Sequence, residues 1–139
     1  RARAFAKRSN IVDLAMTDKR RPAPNVAEIT NVIGNVKGKY VLLIDDIIDT
    51  GGTAAKSAEA LIKAGAKGVS MFCTHGVLSG NAIQNIQNSS IDELIITDTI
   101  NNQAKLKKIK KIRVLSVADL FAKALRRIIN KKSISNLFS

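Results

Sequence analysis

The sequence predicts an α/β fold in one domain spanning residues 1–139: a doubly wound, mainly parallel sheet with helices on both faces. Three observations predict it. Short apolar runs alternate with stretches whose apolar residues recur at helical spacing, the rhythm of βα units. One run, residues 40–44, is continuously apolar, which suits a strand covered on both sides. A length of 139 residues with 45% apolar and 24% charged residues fits one ordinary globular core and excludes global disorder.

The opening is Ala-rich, with Ala2, Ala4, Phe5 and Ala6, and has high helix propensity. Residues 12–16 then read as a short strand. Residues 17–24 hold Lys19, Arg20, Arg21, Pro22 and Pro24, the composition of a mobile basic loop rather than a packed element. Residues 29–33 read as a strand ended by Gly34, and residues 40–44 as the buried strand. A helix is expected over 54–64. Its apolar side is Ala55, Ala58, Leu61 and Ile62, and Gly65 stands where a C-terminal cap belongs. Strands over 68–73, 93–97 and 112–116 and a helix over 81–86 continue the alternation. Leu106, Ile109 and Ile112 recur every three residues, so the lysines of 105–111 are expected on the outer face of a helix. Val117, Leu120, Phe121, Ala124, Leu125, Ile128 and Ile129 form the stripe of an amphipathic helix facing a core, and the tail 133–139 extends beyond it.

Composition also narrows the function. No apolar stretch is long enough to cross a bilayer and residues 1–8 carry no hydrophobic signal region, so a soluble, cytoplasmic protein without membrane contact is expected. The single cysteine, Cys73, has no internal disulfide partner, and with the single histidine, His75, it leaves no Cys/His zinc site. The formal charge of +12 points to an anionic partner. Aromatic residues are only 4% and tryptophan is absent, so a base-stacking platform lacks rings; small phosphorylated ligands fit better than nucleic acid, which is not expected as a partner. The chain opens on Arg1 without an initiator methionine and is expected to be a fragment.

Residues 41–53, VLLIDDIIDTGGT, carry the chemistry. Asp45, Asp46 and Asp49 sit at the carboxyl end of the buried strand, where open α/β sheets bind ligands. Gly51 and Gly52 lie between the hydroxyls of Thr50 and Thr53 at a helix start, so backbone N–H groups and the positive helix end can face one phosphate. The carboxylates repel phosphate but suit sugar hydroxyls, directly or through a divalent cation. An acidic turn before a capped helix would account for Asp49 or Thr50. It does not account for the adjacent Asp45 and Asp46 or for tandem glycines. Neither a P-loop nor a G-x-G-x-x-G dinucleotide motif is present.

This stretch closely resembles the phosphoribosyl-diphosphate binding signature shared by phosphoribosyltransferases and ribose-phosphate diphosphokinases. RARAFAKR at residues 1–8, DKRRP at 18–22, THGVLSGNA at 74–82 and SISNLFS at 133–139 are similar to the diphosphokinase (PRPP synthetase) branch. The resemblance implies a phosphoribosyltransferase-like domain, the C-terminal half of a longer subunit whose N-terminal half shares the fold. It implies that Asp45, Asp46 and Asp49 hold ribose, that Thr50, Gly51, Gly52 and Thr53 wrap its 5-phosphate, and that Lys19 and Arg21 are catalytic. It further implies ATP and ribose 5-phosphate as substrates, Mg2+ as cofactor, a homo-oligomer such as a hexamer, and a regulatory phosphate or ADP site that includes Ser133 and Ser135. No metal ligand is assigned within this chain, and His75 and Ser79 are given no catalytic role. Asn101, where the family commonly has proline, and the Lys-rich segment 105–111 depart from the pattern. A phosphoribosyltransferase using the same loop, a catalytically silent relative and a basic nucleic-acid binder are the competing readings.

Overall fold

The computed structural model describes residues 2–11, 13–23 and 26–138; the side chains of residues 18–23 and 26–30 lie outside the description. The chain runs α1 (Ala2–Arg8), β1 (Met16–Ala23), β2 (Val26–Ile33), β3 (Tyr40–Ile48), α2 (Gly52–Lys63), β4 (Gly68–Gly76), α3 (Ala82–Gln87), β5 (Glu93–Thr97), α4 (Gln103–Leu106), β6 (Ile112–Leu115) and α5 (Ala118–Ile129). A short 3-10 turn, Ser135–Leu137, follows. β3, β4, β5 and β6 form a parallel sheet in that order, and β1 and β2 form a separate antiparallel ribbon. The α/β class and the parallel sheet are those expected.

The strand order follows the chain, so right-handed crossovers carry the connecting helices to a common face. The core lies there. Val69, Met71, Cys73, Leu94, Ile96 and Ile112 of the strands are buried with Ala54, Ala58 and Leu61 of α2, Ala82 and Ile86 of α3, and Leu106 of α4. β4 and β5 bury alternate residues on this side, as the two-residue period of a strand requires. Residues of the opposite side, such as Leu42, Phe72, Ile95 and Leu115, are half-buried or exposed.

α2 ends in a Schellman arrangement. Gly65 takes φ +94°, its amide donates to Ile62 O, and the Ala66 amide donates to Leu61 O, satisfying carbonyls the helix leaves open. The cap expected at Gly65 is thus present, and the helix starts two residues earlier than its apolar pattern, at Gly52.

Several expectations need correction. Residues 13–15 are irregular, Val12 lies outside the described residues, and the first strand begins at Met16. The basic stretch beginning at Thr17 is not a loop: its backbone through Ala23 pairs with β2, with register breaks after Asp18 and between Arg20 and Ala23. Backbone ladder bonds need no apolar side chains, and Pro22, which has no N–H to give, falls within the second break. Residues 105–111 do not form one helix. α4 stops at Leu106, and a chain of turns leads to β6 while Leu106, half-buried Ile109 and Ile112 still face the core. Asn101, the departure from proline, accepts the Gln103 amide through Oδ1 at 3.2 Å as α4 begins. α5 is amphipathic as expected, yet none of its residues is buried; Phe121 and Leu125 are 59% and 57% exposed. Periodicity defines an apolar side but not what covers it.

This packing predicts opposite outcomes for two leucines. Leu61→Ala should cost about 2–5 kcal/mol through a cavity beneath α2, whereas Leu125→Ala should change stability by less than about 0.5 kcal/mol. Urea denaturation of the two variants measures both.

Candidate functional site

β3 continues past the apolar run, so Asp45 and Asp46 are strand residues, both half-buried, and Asp45 stands opposite Cys73 of β4. Asp45 Oδ1 accepts the amide of Asp46 at 3.0 Å. Beyond Ile48 the chain turns through exposed Asp49 and Thr50 and buried Gly51 into α2. A cavity of about 450 Å3 opens at this end of β3, lined by Asp45, Asp46, Asp49, Thr50, Gly51 and Thr53. Thr17 of β1 and Ser57 of α2 complete part of its wall. Every residue expected to hold the sugar or its phosphate therefore lines one cavity, except Gly52, which is adjacent in the turn.

Gly51 is required twice. It occupies the N-cap of α2 with φ +75°, a left-handed conformation that costs an L-residue about 1–2 kcal/mol. A Cβ there would also stand 3.3 Å from Ala82 O and from Ile86 of α3. Gly52 is under neither constraint, since its Cβ would meet only Thr50 Oγ1, at 3.9 Å. Because the cap residue has no side chain, α2 begins without a side-chain cap, and the helix end presents its partial positive charge toward the cavity. Carboxylates along the strand and a positive helix end meet in one space, the pairing of opposite preferences that a neutral polyol bearing a phosphate can satisfy.

The segment after β4 holds this turn. The amides of Val77 and Leu78 donate to Ile48 O at 2.9 and 3.3 Å. Ser79 Oγ donates to Asp49 Oδ1, and Asn85 Nδ2 donates to Thr50 O at 2.8 Å. Sequence reasoning does not place Ser79 and Asn85 in the site: Ser79 falls in the THGVLSGNA motif but is given no catalytic role, Asn85 lies outside it, and both reach partners 30 or more residues away. His75 is exposed, shares a 2.9 Å hydrogen bond with Thr99 Oγ1 through Nδ1, and does not line the cavity.

Lys19 and Arg21 belong to β1, the strand whose Thr17 lines the cavity, but their side chains lie outside the described residues. Ser133 and Ser135 are exposed near the C-terminus, away from the cavity lining; Ser133 Oγ accepts the Ser135 amide at 3.2 Å, and Arg127 donates to Ser133 O at 3.0 Å. Cys73 lies under the acids. Burial pushes its thiol up to about 11, and the negative charges of Asp45 and Asp46 push the same way against the His75 carbonyl contact.

Among the described residues, no three His, Cys, Asp or Glu side chains gather to hold a metal ion by themselves. Magnesium asks for less, one or two carboxylates plus substrate phosphates. Asp45, Asp46 and Asp49 supply oxygen donors of that kind. No described helix is long and apolar enough to cross a membrane.

A parallel α/β sheet with carboxylates and a glycine turn at a strand's carboxyl end places the chain in the open α/β class, whose ligands bind at that edge of the sheet. The chain belongs to the phosphoribosyl synthetase-associated domain family, which matches residues 6–139. It is 54% identical over 138 residues to a ribose-phosphate pyrophosphokinase from Coxiella burnetii, covering 99% of this chain and 43% of the relative. A ribose-phosphate pyrophosphokinase from Clostridium acetobutylicum is 51% identical with the same two coverages. The crystal structure of phosphoribosylpyrophosphate synthetase from Mycobacterium smegmatis superposes with a TM-score of 0.82 at 37% identity, covering 94% of this chain and 41% of that one. The chain thus spans less than half the length of the relatives it matches.

Two outcomes follow from this geometry. Gly51→Ala should destabilise the protein by about 1–3 kcal/mol in thermal or urea unfolding, from left-handed strain and crowding against α3, while Gly52→Ala should be close to neutral for stability. The Cys73 thiol, roughly a thousandth ionised at about pH 8 and fully buried, should resist iodoacetamide in the native protein and react readily in urea; mass spectrometry reads the difference.

Proposed function

We propose that this chain is the C-terminal, phosphoribosyltransferase-like domain of a ribose-phosphate diphosphokinase, with a second domain of the same fold elsewhere in the subunit. The observation that carries the reading is the single cavity shared by Asp45, Asp46, Asp49, Thr50, Gly51 and Thr53 at the end of β3, in a chain of this family. In the proposed reaction the anomeric hydroxyl of ribose 5-phosphate attacks the β-phosphorus of ATP. A new P–O bond forms, the bond between the α- and β-phosphoryl groups breaks, and AMP leaves with phosphoribosyl diphosphate as product.

Asp45, Asp46 and Asp49 accept hydrogen bonds from the ribose hydroxyls, since ionised carboxylates are acceptors only. Thr50, Gly51, Gly52 and Thr53 hold the 5-phosphate against the start of α2, where backbone amides and the helix dipole favour an anion. Lys19 and Arg21 stabilise the charge that builds on the transferring group, the main task of a protein in phosphoryl transfer. Magnesium, carried with the nucleotide, would add neutralisation of that charge. Ser133 and Ser135 form part of a regulatory phosphate or ADP site in a homo-oligomer, and the protein works in the cytoplasm.

Full-length protein supplied with Mg2+, ATP and ribose 5-phosphate is expected to produce AMP and phosphoribosyl diphosphate in equal amounts. Pyrophosphate release from phosphoribosyl diphosphate and a nucleobase would instead identify a phosphoribosyltransferase, and no turnover of either kind a silent relative. In calorimetry Asp45→Asn and Asp46→Asn should each weaken ribose 5-phosphate binding by about tenfold or more, the loss of a charge-assisted hydrogen bond. Lys19→Ala and Arg21→Ala should lower kcat by roughly a hundredfold or more with little change in substrate binding; an effect confined to KM would exclude the assigned role.

A further inference from the structure

The turn that carries Asp49 and Thr50 is gripped from outside by the segment between β4 and α3 and by α3 itself. Three backbone bonds join the two segments: Val77 and Leu78 amides to Ile48 O, and the Ser79 amide to Asp49 O at 3.2 Å. These already secure the path of the chain. Two side chains then add further bonds. Ser79 Oγ donates to one oxygen of the Asp49 carboxylate, and Asn85 Nδ2 donates to the backbone carbonyl of Thr50 at 2.8 Å. Leu78, just before Ser79, takes φ +52°, an uncommon value for a leucine, and its side chain is buried. The chain accepts that conformation at the point from which Ser79 meets Asp49.

We infer that Ser79 and Asn85 are positioning residues for the sugar-phosphate site, acting through Asp49 and Thr50 respectively; the inference rests on the reading of that site proposed above. Ser79 engages Asp49 Oδ1 and so orients the exposed carboxylate, leaving Oδ2 for a ligand hydroxyl. Without it the Asp49 side chain would sample several rotamers, and binding would have to order it each time. Asn85 ties down the carbonyl of Thr50, and with it the peptide that leads into Gly51 and the first amides of α2. The two bonds therefore divide between the ends of the ligand: Ser79 serves the sugar, Asn85 the phosphate.

The division gives a test on the full-length protein, with ribose 5-phosphate and inorganic phosphate as separate calorimetric probes. Ser79→Ala is expected to weaken ribose 5-phosphate binding about tenfold, the loss of one hydrogen bond to a charged group, and to leave inorganic phosphate binding unchanged. Ser79→Thr, which keeps the hydroxyl, should restore it. In an Asp49→Asn background Ser79→Ala should add little further loss, because coupled residues are not additive. Asn85→Ala should weaken both probes. Ribose 5-phosphate binding unaffected by Ser79→Ala, equal loss of both probes in that variant, or full additivity with Asp49→Asn would overturn the inference while the site reading stands. Failure of the unsubstituted protein to bind ribose 5-phosphate would overturn the site reading itself, and the inference with it.

Discussion

The seating of α2 and α3 on one face of the parallel sheet is the interaction from which the rest of the structure follows. Ala58 and Ala82 are fully buried and small, so the helices approach the strands closely, and Leu61 and Ile86 fill the space between them and Val69, Leu94 and Ile96. With both helices held this near, the link from β3 to α2 has little room. Gly51 passes beneath Ala82 and Ile86 where a side chain would be crowded, and the chain enters α2 from a left-handed residue. The apolar contacts thereby determine where the strand ends and where the helix dipole points.

Polar chemistry collects at that place for a related reason. The core closes beneath buried Ile48, and the following residues, no longer enclosed, carry groups that water or a ligand can solvate. Asp45 and Asp46 remain half-buried at the cavity wall, where their negative charge reaches the thiol of Cys73. Several of the described cations lie elsewhere: Lys105, Lys107, Lys108 and Lys110 all sit on the surface while Leu106, Ile109 and Ile112 turn inward. A strongly basic chain therefore builds an acid-walled cavity with a positive helix end beside it.

The same economy appears in the pairing of distant polar groups. Asp92 Oδ2 accepts the Val69 amide at 2.9 Å at the start of β4, and Asp98 Oδ1 accepts the Val117 amide at 2.8 Å as α5 begins. Hydrogen bonds from Ser116 and the Val117 amide hold the Asp98 carboxyl below the usual carboxylate range. Asn102 Nδ2 donates to Gly76 O at 2.6 Å, joining the loop after β5 to the end of β4. Each bond fastens a loop at one end of a strand; the Asp92 bond does so at the amino side of the sheet, and the Asp98 and Asn102 bonds at the carboxyl side, where the cavity lies.

Much of this was legible in the amino-acid sequence. The strand Glu93–Thr97 matches its apolar run in full, α2 and its Gly65 cap lie within two residues of the helical pattern, and Asp45, Asp46, Asp49 and Gly51 of the cavity fall close together along the chain. Such features are local, set by side-chain period, turn geometry and neighbouring residues, so the sequence alone determined them. The β1–β2 ribbon, the uncovered stripe of α5, the turns through residues 105–111, and the attachment of Ser79 and Asn85 to the turn after β3 were decided by tertiary structure. Each depends on which distant segment supplies a backbone ladder, an apolar cover or a hydrogen-bond partner, and no local period or composition encodes that choice.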